Sequence, residues 1–225
     1  MPELLCEYPD VIHLSIDGFG AVHDAVRGSG VFDRVRRNLE LIRERRGKLI
    51  FLTTVSDANV AELAELPEQL AELGPDEIVL QQLMYLTPAE IAAYRKFSAE
   101  NFGCDYPELK AWRREDDAAY LAMLRRQLAA LAKRSHPVPV RFTPHSYPDR
   151  LPDAPGCKAP FRRVHIRHDG AVGFCTDYFG FSAGNVKELP LEAICRSPAA
   201  ERYRAAVRSG ELPICDHCPW RLQQL

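Results

Sequence analysis

Four of the five cysteines within residues 157–218 constrain the fold of this chain more than any other feature. They are Cys157, Cys175, Cys215 and Cys218. The last two form Cys215-Asp216-His217-Cys218, a C-x-x-C knuckle that presents two thiolates to one metal centre. Between the first two, Arg163-Val164-His165-Ile166-Arg167 and Ala171-Val172-Gly173-Phe174 flank His168-Asp169-Gly170, a hairpin signal. Folding that hairpin brings Cys157 and Cys175 together, and the knuckle closes a four-thiolate site. A small hairpin with one short helix buries too little apolar surface to stand alone, and a metal centre makes up the deficit. Zinc ribbons carry two C-x-x-C knuckles, and this chain has one. Scattered thiolates suit the separate iron corners of a [4Fe–4S] cluster, so the spacing favours iron–sulfur and leaves zinc as the rival.

Composition bounds the rest. The chain has 225 residues, 46% hydrophobic and 27% charged, as expected of an ordered globular protein of one large or two small domains. A net charge of −2 gives no electrostatic reason to expect nucleic acid or an anionic membrane as partner. No apolar run approaches the length of a membrane span, and the start lacks the basic and apolar regions of a signal peptide. A cytoplasmic location follows as the expectation, and there clustered cysteines are read as metal ligands rather than disulfides.

The first 142 residues alternate strands and helices. Strands are predicted at residues 11–16, 49–55, 77–84 and 138–142, and helices at 31–45, after Asp57 and Asn59, at 88–101 and at 115–134. The nearly continuous apolar run 49–55 suits a strand buried on both faces of a parallel sheet. Pro144, Pro148, Pro152 and Pro155 mark residues 143–156 as a linker, and a helix is predicted over 190–208. The expected organisation is α/β: parallel strands in residues 1–145 and a small cysteine-bearing module in 146–225. About 140 residues are too few for an eight-unit barrel of roughly 250, so the sheet is open or part of a barrel.

The C-terminal segment resembles the twitch or SPASM extension of radical S-adenosylmethionine (SAM) enzymes. The residues that carry the likeness are Cys157, Asp169-Gly170-Ala171-Val172-Gly173-Phe174-Cys175, Gly184-Asn185-Val186, Leu191-Glu192-Ala193-Ile194, Arg204, Gly210 and Cys215-x-x-Cys218. Four cysteines match the single-cluster twitch form, which implies that Cys157, Cys175, Cys215 and Cys218 hold an auxiliary [4Fe–4S] cluster. The first half is similar to the later strands of a radical SAM barrel, through Leu14-Ser15-Ile16-Asp17-Gly18, His23-Asp24, Arg27-Gly28, Asn38, Thr54-Val55 and Asn59, with Gln81 on a following strand. The resemblance implies a partial (β/α) barrel of about its C-terminal half. It also implies that Ser15 and Arg27, with Arg36 as competitor, contact the carboxylate of SAM in the complete enzyme. The implied activity is hydrogen abstraction from a peptide or small-molecule substrate.

One departure is informative. The family's catalytic C-x-x-x-C-x-x-C is absent, and Cys6 and Cys104 stand alone before the linker. About three βα units and the catalytic cluster are therefore expected from a missing N-terminal segment or a partner chain, and this chain alone should not cleave SAM. A fragment is the favoured explanation, ahead of a split enzyme or a stand-alone module. The alternative function is a non-enzymatic iron–sulfur or zinc-binding adaptor. The remaining candidates read as structural: His23 as an exposed loop residue, Asn59 as a helix cap, and Cys6, Cys104 and Cys195 as small buried apolar residues. Of Gln81 and Gln82, one faces in. Arg34, Arg36, Arg37, Arg43, Arg45 and Arg46 read as a solvated face.

Overall fold

A computed structural model describes residues 2–114, 118–143, 157–178 and 180–218. In chain order the helices and strands are α1 (Pro2–Glu7), β1 (Val11–Ser15), α2 (Ala21–Arg27), α3 (Val31–Glu40), β2 (Lys48–Val55), α4 (Leu66–Ala71), β3 (Glu77–Gln82), α5 (Pro88–Phe102), α6 (Ala118–Leu131), β4 (Val140–Thr143), α7 (Ala159–Arg162), β5 (His165–Ile166), β6 (Ala171–Gly173), β7 (Gly184–Asn185), α8 (Leu191–Cys195) and α9 (Pro198–Ser209). Short 3₁₀ turns cover Val60–Glu62, Pro107–Trp112 and Pro213–His217. The chain is α/β, with a parallel sheet followed by a small antiparallel one. Among the described residues no helix is long and apolar enough to cross a membrane. The linker predicted at 143–156 lies, but for Thr143, outside the described residues.

The described residues form two compact units that do not follow chain order. The first joins residues 2–83 to 118–143. Its four strands lie in the order β1-β2-β3-β4, all parallel, each pairing with its sequence neighbour. That sequential winding is how strands add in a (β/α) barrel, whereas a doubly wound sheet reverses direction at a switch point. Alternate residues of β2, Leu49, Phe51, Thr53 and Val55, are fully buried, and those between are only half-buried. The uninterrupted apolar run thus makes a one-sided strand. Ile78, Val79 and Leu80 of β3 are consecutive and buried, so the two-sided burial expected of β2 belongs to β3. Leu63, Leu66 and Leu70 join Tyr120, Leu124 and Leu131 of α6 in the unit's apolar core.

The second unit joins residues 84–114 to 157–218. Its core is rich in aromatic side chains: Tyr94 of α5 lies 4.5 Å from Tyr178 between ring centres, and Phe181 stacks on Tyr203 of α9 at 4.6 Å. Offset or tilted ring pairs of this kind add to area burial. Ser98 and Tyr178 share a buried hydroxyl hydrogen bond, so the tyrosine's polar end is satisfied in the core. The single helix predicted over 190–208 is two helices. Pro198 lacks an N–H and takes the first position of α9, while Ser197 caps it by accepting from the Ala200 amide at 3.1 Å.

Candidate metal centre

The four cysteines are delivered by three short pieces of the second unit. The hairpin pairs His165 with Gly173 and Ile166 with Val172, and Cys175 follows two residues beyond β6. Its turn needs Gly170, whose φ is +90°, and a Cβ there would sit 2.4 Å from Asn185 Oδ1. Asn185 in turn donates to the Asp169 carbonyl and pairs with Ala171, holding β7 along β6. Cys157 lies just ahead of α7, which is pinned to α9 by Arg204: its guanidinium donates to the carbonyls of Pro160 at 3.0 Å and Cys195 at 2.7 Å. Cys215 sits in the 3₁₀ turn Pro213–His217 and Cys218 directly after it.

All four thiols line one cavity of about 160 Å³. Its apolar wall includes Pro160, Val207 and Ile214, Tyr203 borders it, and Asp177, His165 and Arg163 are its ionisable lining. Cys218 is buried and the other three are half-buried. The Asp177 amide donates to Cys175 Sγ at 3.3 Å, and Cys218 Sγ lies 3.8 Å from Asp177 Oδ2. Burial pushes the Cys175 thiol up to about 11, with the Asp177 carboxylate adding repulsion. Asp177 is itself raised by burial. Metal loading must therefore displace protons from this site.

Zinc and a cluster ask different things of four thiols. A tetrahedral zinc ion with sulfurs at about 2.3 Å draws four thiolates to within roughly 3.8 Å of one another. Among the described residues, no three His, Cys, Asp or Glu side chains converge tightly enough for a single ion. Thiols spread around a cavity fit a body with several metal corners, and the amide N–H on Cys175 is the kind of donor that serves a cluster's sulfurs. His217, inside the knuckle, donates from Nε2 to Glu90 Oε1 at 2.6 Å, so that nitrogen is engaged away from the metal position.

The other sequence candidates lie elsewhere. Ser15 ends β1, exposed, with no hydrogen bond from its hydroxyl to the described residues. Arg27 bonds through Nε to Asp17, not to Asp24. Asp17 is 1% exposed and accepts the Thr54 amide at 2.8 Å. Asp24 instead accepts the amides of Gly30 and Phe32 at the start of α3. His23 is a buried helical residue rather than an exposed loop one: its Nδ1 accepts the Asp17 amide at 3.0 Å. Asn59 takes the N-cap position of the 3₁₀ turn Val60–Glu62 without a side-chain capping bond; its amide instead donates to the carbonyls of Asp17 and Thr54, clamping two strand ends together. Gln82 is the inward glutamine. Arg45 leaves the solvated cluster to bond Asp76 and the Gly74 carbonyl. Cys6, Cys104 and Cys195 are half-buried rather than buried, and none lines the cavity. Glu90, Asp177 and Tyr203 were missed by sequence reading. Glu90 alone left a signal, in the Thr87-x-x-Glu90 capping box, and that signal announced a helix start rather than a metal site.

Residues 157–219 match the SPASM family, an iron–sulfur cluster-binding domain. Over 92% of its length the chain is also similar, at 23% identity, to a pre-heme d1 synthase of Dinoroseobacter shibae, and it spans about half (54%) of that protein's length.

Proposed function

We propose that this chain works as the C-terminal portion of a radical SAM oxidoreductase or maturase, in which Cys157, Cys175, Cys215 and Cys218 hold an auxiliary [4Fe–4S] cluster. The observation that carries the reading is the convergence of those four thiols on one cavity. A cluster held there supplies one-electron chemistry or a Lewis-acidic anchor for substrate. The chain's own residues supply the rest: the apolar wall limits water, and the Asp177 amide stabilises negative charge on Cys175.

In the first unit, Ser15 and Arg27 stand at the carboxyl end of the parallel sheet, where such folds bind ligands. Only Nε of Arg27 is engaged among the described residues, which leaves its terminal nitrogens for the carboxylate of SAM. The 225 residues hold no C-x-x-x-C-x-x-C, so the catalytic cluster comes from polypeptide outside them, and the chain is inactive alone. The substrate is a peptide or small molecule, and the setting is cytoplasmic, where free thiols persist.

Anaerobic loading with iron and sulfide should give about four irons and brown absorbance per chain. Cys→Ser variants at positions 157, 175, 215 and 218 should each lose most of that iron, and those at 6, 104 and 195 should retain it. Tight zinc uptake without sulfide would overturn the cluster and favour an adaptor.

A further inference from the structure

The knuckle histidine is tied to a helix far away in sequence. His217 lies between Cys215 and Cys218, and its side chain is 1% exposed. Its Nε2 donates to Glu90 Oε1 at 2.6 Å, a short bond of the charge-assisted kind. The other oxygen of the same carboxylate, Oε2, accepts from the Thr87 amide at 2.8 Å and the Thr87 hydroxyl at 2.9 Å. Thr87 Oγ1 accepts the Glu90 amide in return, completing the capping box of α5. One carboxylate therefore caps a 15-residue helix with one oxygen and grips the cysteine knuckle with the other. Desolvation opposes its charge, yet the donors on His217 and Thr87 outweigh that and hold the Glu90 carboxyl below its usual range. A 3₁₀ turn of five residues has little rigidity of its own, so its placement is set by what its side chains grip.

We infer that Glu90 is a positioning residue of the metal centre: through His217 it sets where Cys215 and Cys218 present their sulfurs. The inference rests on the reading of these cysteines as cluster ligands, and it adds that the histidine of the C-x-x-C segment serves as a tether rather than a ligand. Capping and gripping are separable. Thr87→Ala removes the box and leaves the Glu90–His217 bond, whereas Glu90→Ala removes both and His217→Phe removes only the grip.

The test uses the full chain in two forms. In the metal-free form, site-resolved alkylation by iodoacetamide reports thiol placement. Glu90→Ala and His217→Phe should change the rates at Cys215 and Cys218 about fivefold or more relative to Cys6, and Thr87→Ala should not. After anaerobic loading, the same two variants should release iron to a chelator about tenfold faster and shift the electron paramagnetic resonance spectrum of the reduced centre. The double variant should match the singles, because the two residues act as one unit. Wild-type alkylation, release and spectrum in both variants would overturn the inference. So would Thr87→Ala reproducing their effects, since the cause would then be helix stability. If no variant, the natural protein included, takes up iron, the proposed function fails, while altered alkylation at Cys215 and Cys218 would still support the tether.

Discussion

Asp17 shows how one residue can organise a strand end. It is buried, and it uses its carboxylate, amide and carbonyl at once on Arg27, Thr54, His23 and Asn59. Each bond satisfies a group that burial would otherwise penalise. His23 is the pH-sensitive member. Burial is the main cause of its lowered pKa; the carboxylate of Asp17 works against that and Arg27 with it. Its Nδ1 must stay unprotonated to accept the Asp17 amide. The folded state therefore binds this proton less readily than the unfolded chain, whose histidine titrates near about 6.5. The resulting stability is present above that value and is lost as pH falls through the lower folded pKa. Protection factors of β1 and β2 amides, corrected for the intrinsic pH dependence of exchange, should fall on acidification below about pH 6.5, and His23→Asn should flatten that dependence. An unchanged pH slope in the variant would count against His23 as the source.

At the scale of elements, turns rather than strands decide where the cysteines go. β5 and β6 are two and three residues long, too short to fix their own register. Register comes from Gly170 at φ +90° and from Asn185, whose side-chain oxygen fills the space a Cβ would need. Gly170→Ala should therefore cost about 1–3 kcal/mol of second-unit stability. It should also reduce iron loading by moving Cys175, and the pair of measurements, chemical denaturation and iron content, checks both. The hairpin was legible in sequence because Asp-Gly between apolar runs has a specific turn meaning. The break between α8 and α9 was not read, although Ser197-Pro198 carries a cap and a first-turn proline, because the apolar spacing continues across it.

At the scale of the molecule, the two units should answer differently to metal. The second has a cavity at the meeting point of its cysteine-bearing segments, and the first is built on a four-stranded sheet with an apolar core. Binding energy at a site that exists only when folded is folding energy for the unit that holds it. Loading should raise hydrogen-exchange protection across residues 157–218 and leave β1–β4 unchanged, and stripping by a chelator should reverse the change. Protection gained equally in both units would contradict a centre confined to the second.

Cysteine spacing, hairpin signal and the alternation of apolar runs with amphipathic stretches were enough by themselves to specify an α/β chain whose C-terminal cysteines come together. Those are local properties: periodicity says which face of an element is apolar, and turn chemistry says where the chain reverses. Which distant faces meet is a different matter. Residues 84–114, read as continuing the strand-and-helix series, pack with the cysteine segment. Glu90 finds His217 across 127 positions, and Arg204 finds the Pro160 carbonyl across 44. Tertiary structure alone decided these pairings, because a buried polar group must find a partner wherever packing puts one, and no spacing in the chain encodes that address.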